Sequence, residues 1–132
     1  MGLVGHSRGG DAVSNVPQLL AETPIAGLQV VSVFAVAPTD FHDVVVRDTN
    51  LAVLLPSCDG DVSNLMGHRH YDRSVGSFDG VEQAQVLYVG ANHNFFNSLW
   101  AAQGDESDPQ RPEYLTPPEQ RRIGEAYLSA FT

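Results

Sequence analysis

VGHSRGGDA, residues 4–12, sets Ser7 between Gly5 and Gly9. The G-x-S-x-G spacing follows a short apolar stub, Leu3 to Gly5. It leads into Gly9 to Glu22, where Ala12, Val13, Val16, Leu19 and Leu20 share a broad helical face. A strand that ends in a glycine-rich turn and continues as a helix holds a serine hydroxyl exposed at the carboxyl edge of a sheet. Small residues at 5, 9 and 10 are expected there, because such a turn is strained and its helix packs closely on the strand. Pro17 is expected to kink or restart that helix. The bare pattern also arises by chance around ordinary turn serines, so the rest of the chain has to decide its meaning.

Working outward, LQVVSVFAVA (28–37), LAVLLPS (51–57) and AQVLYVG (84–90) are rich in Val and Leu and lack clean alternation. Strands of a parallel sheet, covered on both faces, read this way. Residues 62–81 are mixed and contain a short helix, and NFFNSLWAA (94–102) puts Phe95, Phe96, Leu99 and Trp100 at near-helical spacing. GDESDPQRP (104–112) reads as a polar loop. The last segment, TPPEQRRIGEAYLSAF (116–131), opens with Thr116 as a cap and prolines in the first turn, and lines up Ile123, Ala126, Tyr127 and Ala130. Strands alternating with helices predict an α/β fold around a parallel sheet. With 132 residues, 42% of them apolar, and no repeat, a single domain over 1–132 is expected.

Acidic residues outnumber basic ones 16 to 7, every basic residue is arginine, and the formal charge is −9. Such a surface repels phosphate backbones and offers no basic cluster to an anionic membrane, so a nucleic-acid partner is not expected. Cys58, the one cysteine, excludes an intrachain disulfide and any cysteine-based zinc site, and leaves the compartment open. No apolar run approaches 18 residues and no export leader is seen, so no membrane span is expected.

A serine hydroxyl is a weak nucleophile that needs a base and an acid to orient the base. VLYVGANHNFF supplies His93 three residues beyond Gly90, and LLPSCDGDV supplies Asp59 and Asp61 just after the preceding strand. In these features, from Val4 to about Trp100, the chain resembles the C-terminal half of an α/β-hydrolase of the esterase and lipase kind, and the last helix suits that family's closing helix. The resemblance implies a partial α/β-hydrolase fold. Its parallel sheet would correspond to strands five to eight, with flanking helices and the N-terminal half absent.

The resemblance also implies a catalytic triad of Ser7, His93 and Asp59. PSCDGDV matches the family's G-x-x-D-x-x-V pattern at Asp59 and Val62 but carries Pro56 in place of the glycine, and Asp61 is the alternative acid. One oxyanion donor would be the backbone N–H of Arg8. The second comes in the family from a loop after the third strand, which this chain lacks. Loss of such a donor costs roughly 10²–10³ in kcat, so weak activity of the isolated chain is expected. The implied reaction is hydrolysis of small or polymeric carboxylic esters through an acyl-enzyme, without metal or cofactor. Only residues 38–50 fill the connection where lids are inserted, so an open site is expected. An exposed first strand predicts a homo-oligomer or a separate N-terminal partner. The competing reading is a non-catalytic remnant serving as an interaction module.

The remaining polar residues have plainer readings. His68 and His70 read as a solvated helix start rather than as metal ligands, because an H-x-H pair on a helix points to opposite faces. His6 is expected to support the serine turn, His42 has no evident role, and the Arg8 side chain reads as a salt-bridging group. Cys58 is expected half-buried, and Phe95, Phe96 and Trp100 are expected to pack on the sheet.

Overall fold

A computed structural model describes residues 1–76, 79–99 and 114–131. Its elements are β1 (Gly2–His6), α1 (Arg8–Glu22), β2 (Ser32–Val36), β3 (Asn50–Pro56), α2 (His68–Ser74), β4 (Gln83–Tyr88), a 3₁₀ turn at Asn94–Phe96 and α3 (Pro117–Phe131). The strands form one all-parallel sheet in the order β1-β2-β3-β4. Side chains alternate across it, as strand geometry demands. Val33, Leu51, Val53 and Leu55 face α1 and α2, meeting Val13, Val16, Leu20 and Tyr71. Phe34, Val36, Ala52, Leu54 and Tyr88 face the other way, against Leu128 and Phe131 of α3. The α/β architecture with a parallel sheet is therefore as the apolar runs predict.

Three local expectations change before α3. The run 28–37 becomes a strand only over Ser32–Val36, where the paired register begins with Ser32 opposite Gly2 on one side and Asn50 on the other. α1 runs uninterrupted through Pro17. The segment from Asn94 forms a single 3₁₀ turn, and Asn97 is extended. Asparagine side chains take the backbone there: Asn92 Oδ1 accepts from Asn94 N–H at 2.9 Å and Asn97 Oδ1 from Leu99 N–H at 2.7 Å. Trp100 to Ala102 and the polar loop at 104–112 lie outside the described residues.

α3 starts as expected, with Glu119 accepting from both Thr116 N–H and Thr116 Oγ1. It packs through a different face, however. Gln120 is fully buried and Leu128 and Phe131 meet the core, whereas Ile123, Ala126, Tyr127 and Ala130 are exposed. The physical reason is polar: Gln120 satisfies backbone groups of the loop after β4, which no apolar side chain can do.

Candidate functional site

Ser7 leaves β1 with its N–H on Val36 C=O at 2.9 Å and sits at φ 58, ψ −126 as the cap residue of α1. Positive φ on a residue with a Cβ costs of the order of 1–3 kcal/mol and persists only where its surroundings enforce it. Enforcement is visible. Ser7 C=O accepts from Gly10 N–H at 2.9 Å and from Thr39 N–H at 3.3 Å, which ties the turn to the loop after β2. A Cβ on Gly5 would lie 2.1 Å from Gly9 O, and one on Gly10 would lie 2.8 Å from Pro38 Cβ. Gly9 departs from expectation, since a Cβ there meets nothing within 4 Å among the described residues. Of the three glycines, two are demanded by packing.

His93 lies beyond β4, after a turn at Gly90 with φ 79. It is buried, and its Nδ1 meets Asp59 Oδ2 at 2.9 Å. Asp59 is itself fixed, its other oxygen accepting from Asp61 N–H at 3.0 Å and Val62 N–H at 2.6 Å. Backbone bonds staple the loops carrying the two residues, with Cys58 N–H on Ala91 C=O at 2.9 Å and Ser57 N–H on Tyr88 C=O at 3.0 Å. Asp61 lies on the opposite side of the ring, its Oδ2 3.3 Å from Nε2 and its side chain 64% exposed. The two acidic residues thus take different nitrogens of one imidazole.

Ser7, His93 and Asp61 open onto one cavity of about 440 Å³, with Arg8, Asn94 and Asn97 also in its walls. Among the described residues no hydrogen bond from Ser7 Oγ is seen, and the serine and the imidazole border one cavity. Arg8 N–H, at the first helical position, has no acceptor among the described residues and belongs to the same wall. Exposed amides at a helix start are where negative charge is stabilised.

One support went unread in the sequence. Gln120 Oε1 accepts from Asn92 N–H at 2.8 Å and its Nε2 donates to Asn92 C=O at 2.6 Å, clamping the residue before His93 from both sides. No sequence pattern marks a helical glutamine for this task. His6 does support the site, donating from Nε2 to His93 C=O at 3.1 Å, with ring centroids 4.6 Å apart. Burial, then the neighbouring His93, push its pKa down to about 4, so the ring is neutral near pH 7 and available as a donor.

A second polar cluster lies behind the serine turn. His70 is fully buried, which corrects its reading as a solvated residue; His68 is the exposed one, paired with Asp72 at 2.6 Å. The helix spacing does send the two rings apart, but α2 packs on the sheet and turns His70 inward. Asp11, Asp40 and His70 bring ligand-type atoms together. Their existing partners fit an ion-pair network better than a metal site. Arg73 grips both oxygens of Asp40, His42 Nδ1 meets Asp11 Oδ2 at 2.7 Å, and His70 Nε2 donates to Thr39 C=O at 2.8 Å. Among the described residues, His70 Nδ1 also lacks the outer partner that metal-bound imidazoles usually keep. His42, without an evident role in the sequence, belongs to this network.

Elsewhere, Cys58 is half-buried and Phe95 buried, as expected. No described helix is long and apolar enough to cross a membrane. In comparisons with known proteins, no family model and no curated sequence matches the chain.

Proposed function

We propose that the chain is the nucleophile-to-histidine portion of an α/β-hydrolase-type serine hydrolase, its four strands corresponding to strands five to eight of that fold, and that it acts on carboxylic esters. The observation that carries the reading is a serine at φ 58 between a strand and a helix, opening onto the same cavity as a buried imidazole whose Nδ1 rests on a buried carboxylate. Each of these features costs stability, and together they suit nucleophilic chemistry.

In this mechanism Ser7 Oγ attacks the ester carbonyl carbon while its proton passes to His93 Nε2. Asp59 holds the ring with Nδ1–H toward itself and stabilises the imidazolium that forms. The tetrahedral oxyanion accepts from Arg8 N–H. Collapse breaks the bond to the leaving oxygen, which takes the Nε2 proton, and water then attacks the acyl-enzyme by the same proton route. No cofactor is required.

A second reading, a non-catalytic module, is favoured by one contact: Asp61 occupies the Nε2 side of His93, where Ser7 would have to be. Reaction with a fluorophosphonate probe, read by mass spectrometry, separates the two. A single adduct on Ser7, absent in Ser7→Ala and slowed by Asp59→Asn, supports the hydrolase. No adduct on Ser7 at any pH between 6 and 9 supports the module.

A further inference from the structure

We propose that Asp61 is the specificity-determining carboxylate of this site and that it selects esters whose leaving alcohol is a polyol, such as a glycerol or sugar hydroxyl. The inference rests on the hydrolase reading given above and adds the substrate class.

Asp61 cannot serve as the orienting acid, since Asp59 already holds Nδ1 at 2.9 Å and Asp61 lies on Nε2 at 3.3 Å. Nε2 is the atom that must first take the serine proton and then return it to the leaving oxygen. An ionised carboxylate beside it competes for that proton in both steps. With a leaving group that offers no hydrogen bond, Asp61 therefore works against turnover. It ceases to do so when the substrate supplies donors that turn the carboxylate away from the ring.

The Asp61 backbone is pinned by its N–H on Asp59 Oδ1, whereas its side chain is largely solvent-accessible, so the carboxylate can rotate without disturbing Asp59. The rest of the wall indicates which donors fit. Among the described residues every side chain lining the cavity is polar or absent: one acid, one arginine, two asparagines, two histidines, the serine and a glycine. Such a wall has donors and acceptors, no excess of either charge and no purely hydrocarbon side chain. Alkyl chains leave those donors and acceptors unpaired, and a lone ammonium group would meet Arg8 as well as Asp61. Adjacent hydroxyls suit it, because a carboxylate accepts two O–H bonds side by side while amide and guanidinium groups serve the remaining oxygens.

The test compares acetate esters of glycerol or a monosaccharide with acetate esters of alkyl alcohols of similar size, on the full chain and on Asp61→Ala and Asp61→Asn. The expected result is a kcat/KM preference for the polyol ester of roughly tenfold or more, as hydrogen bonds to a charged group supply, falling to within about threefold in Asp61→Ala. A second measurement uses Ser7→Ala protein titrated with glycerol and with glucose, following the His93 ring resonances by NMR. Saturable shifts are expected, weakened about tenfold when Asp61→Ala is added. Ser7-dependent turnover with no polyol preference, or a preference unchanged by Asp61→Ala, overturns the proposal and leaves the hydrolase reading standing. Asp61-dependent polyol binding without turnover of any ester upholds Asp61 as a polyol-binding carboxylate and removes the hydrolase reading. Absence of both preference and binding overturns the proposal.

Discussion

Replacing Gly5 and Gly9 by alanine should change stability in opposite directions, although both belong to the one G-x-S-x-G motif. At Gly5 the new Cβ would stand 2.1 Å from Gly9 O, 2.5 Å from Gly9 C and 2.8 Å from Gly10 N. Non-bonded carbon atoms reach their optimum only at about 3.5–4.0 Å. All three obstacles are backbone atoms, so no rotamer change relieves the clash, and the first turn of α1 must slide off β1. Ordinary overpacking costs about 1–3 kcal/mol, and a backbone collision belongs at the upper end. Less chain entropy in the unfolded state returns only about 0.4–1 kcal/mol. The net expectation for Gly5→Ala is a loss of about 2 kcal/mol or more. Gly9 sits in the first turn of α1 with open space where its Cβ would be. Gly9→Ala should therefore gain about 0.5–1 kcal/mol from helix propensity. For a chain of this size 1 kcal/mol moves Tm by roughly 3–5 °C, so the two variants should separate by about 8 °C or more. Urea titration with an unchanged m-value supplies the free energies. Gly5→Ala within 0.5 kcal/mol of the parent, or Gly9→Ala less stable by about 1 kcal/mol, would refute the view that helix contact, not the turn itself, demands the glycine.

His6→Phe should flatten the acid limb of the stability curve. The folded pKa of His6 is depressed from 6.5 to about 4, so the unfolded chain binds the extra proton first, and stability falls as pH drops from about 6.5 to 4. The contribution is complete above the unfolded value and amounts to roughly 3 kcal/mol lost by pH 4, measurable as a smaller difference between Tm at pH 7 and pH 4.5 in the variant. Gln120→Ala strands the buried N–H and C=O of Asn92, which should cost about 2–3 kcal/mol and speed amide exchange at Asn92 and His93 before it affects β2. Asp59→Asn keeps the side-chain volume but removes the charge beside Nδ1, and should slow Ser7-dependent turnover by roughly 10⁴ with little change in KM. A fall of less than tenfold would indicate that Asp59 does not orient a catalytic histidine.

The parallel α/β sheet was legible in the sequence because its signals are local. Runs such as 51–57 are apolar at every position, which only a strand covered on both faces accommodates, and the observed β3 is buried over Leu51 to Pro56. The turn at Ser7 was legible for the same reason, a strand stub, small residues and an amphipathic helix following one another within twenty positions. The order serine, acid, histidine came with it. What the linear pattern could not decide was every question of partnership. Periodicity indicates that a helix has an apolar stripe, yet α3 leaves Ile123 and Tyr127 exposed and buries Gln120, because the loop before His93 presents backbone groups that need a donor and an acceptor together. Asp59 and Asp61 are the same residue type, two positions apart. Only the closed Asx turn, with Asp59 Oδ1 on two backbone N–H groups, sends one carboxylate to Nδ1 of the imidazole and leaves the other beside Nε2. His70 likewise reads as a surface residue until α2 is laid on the sheet and its ring meets Thr39 some thirty residues away. Local sequence fixes which backbone conformations are cheap; desolvation of polar groups, which depends on what lies across the interface, decides which side chains are buried and what they hold.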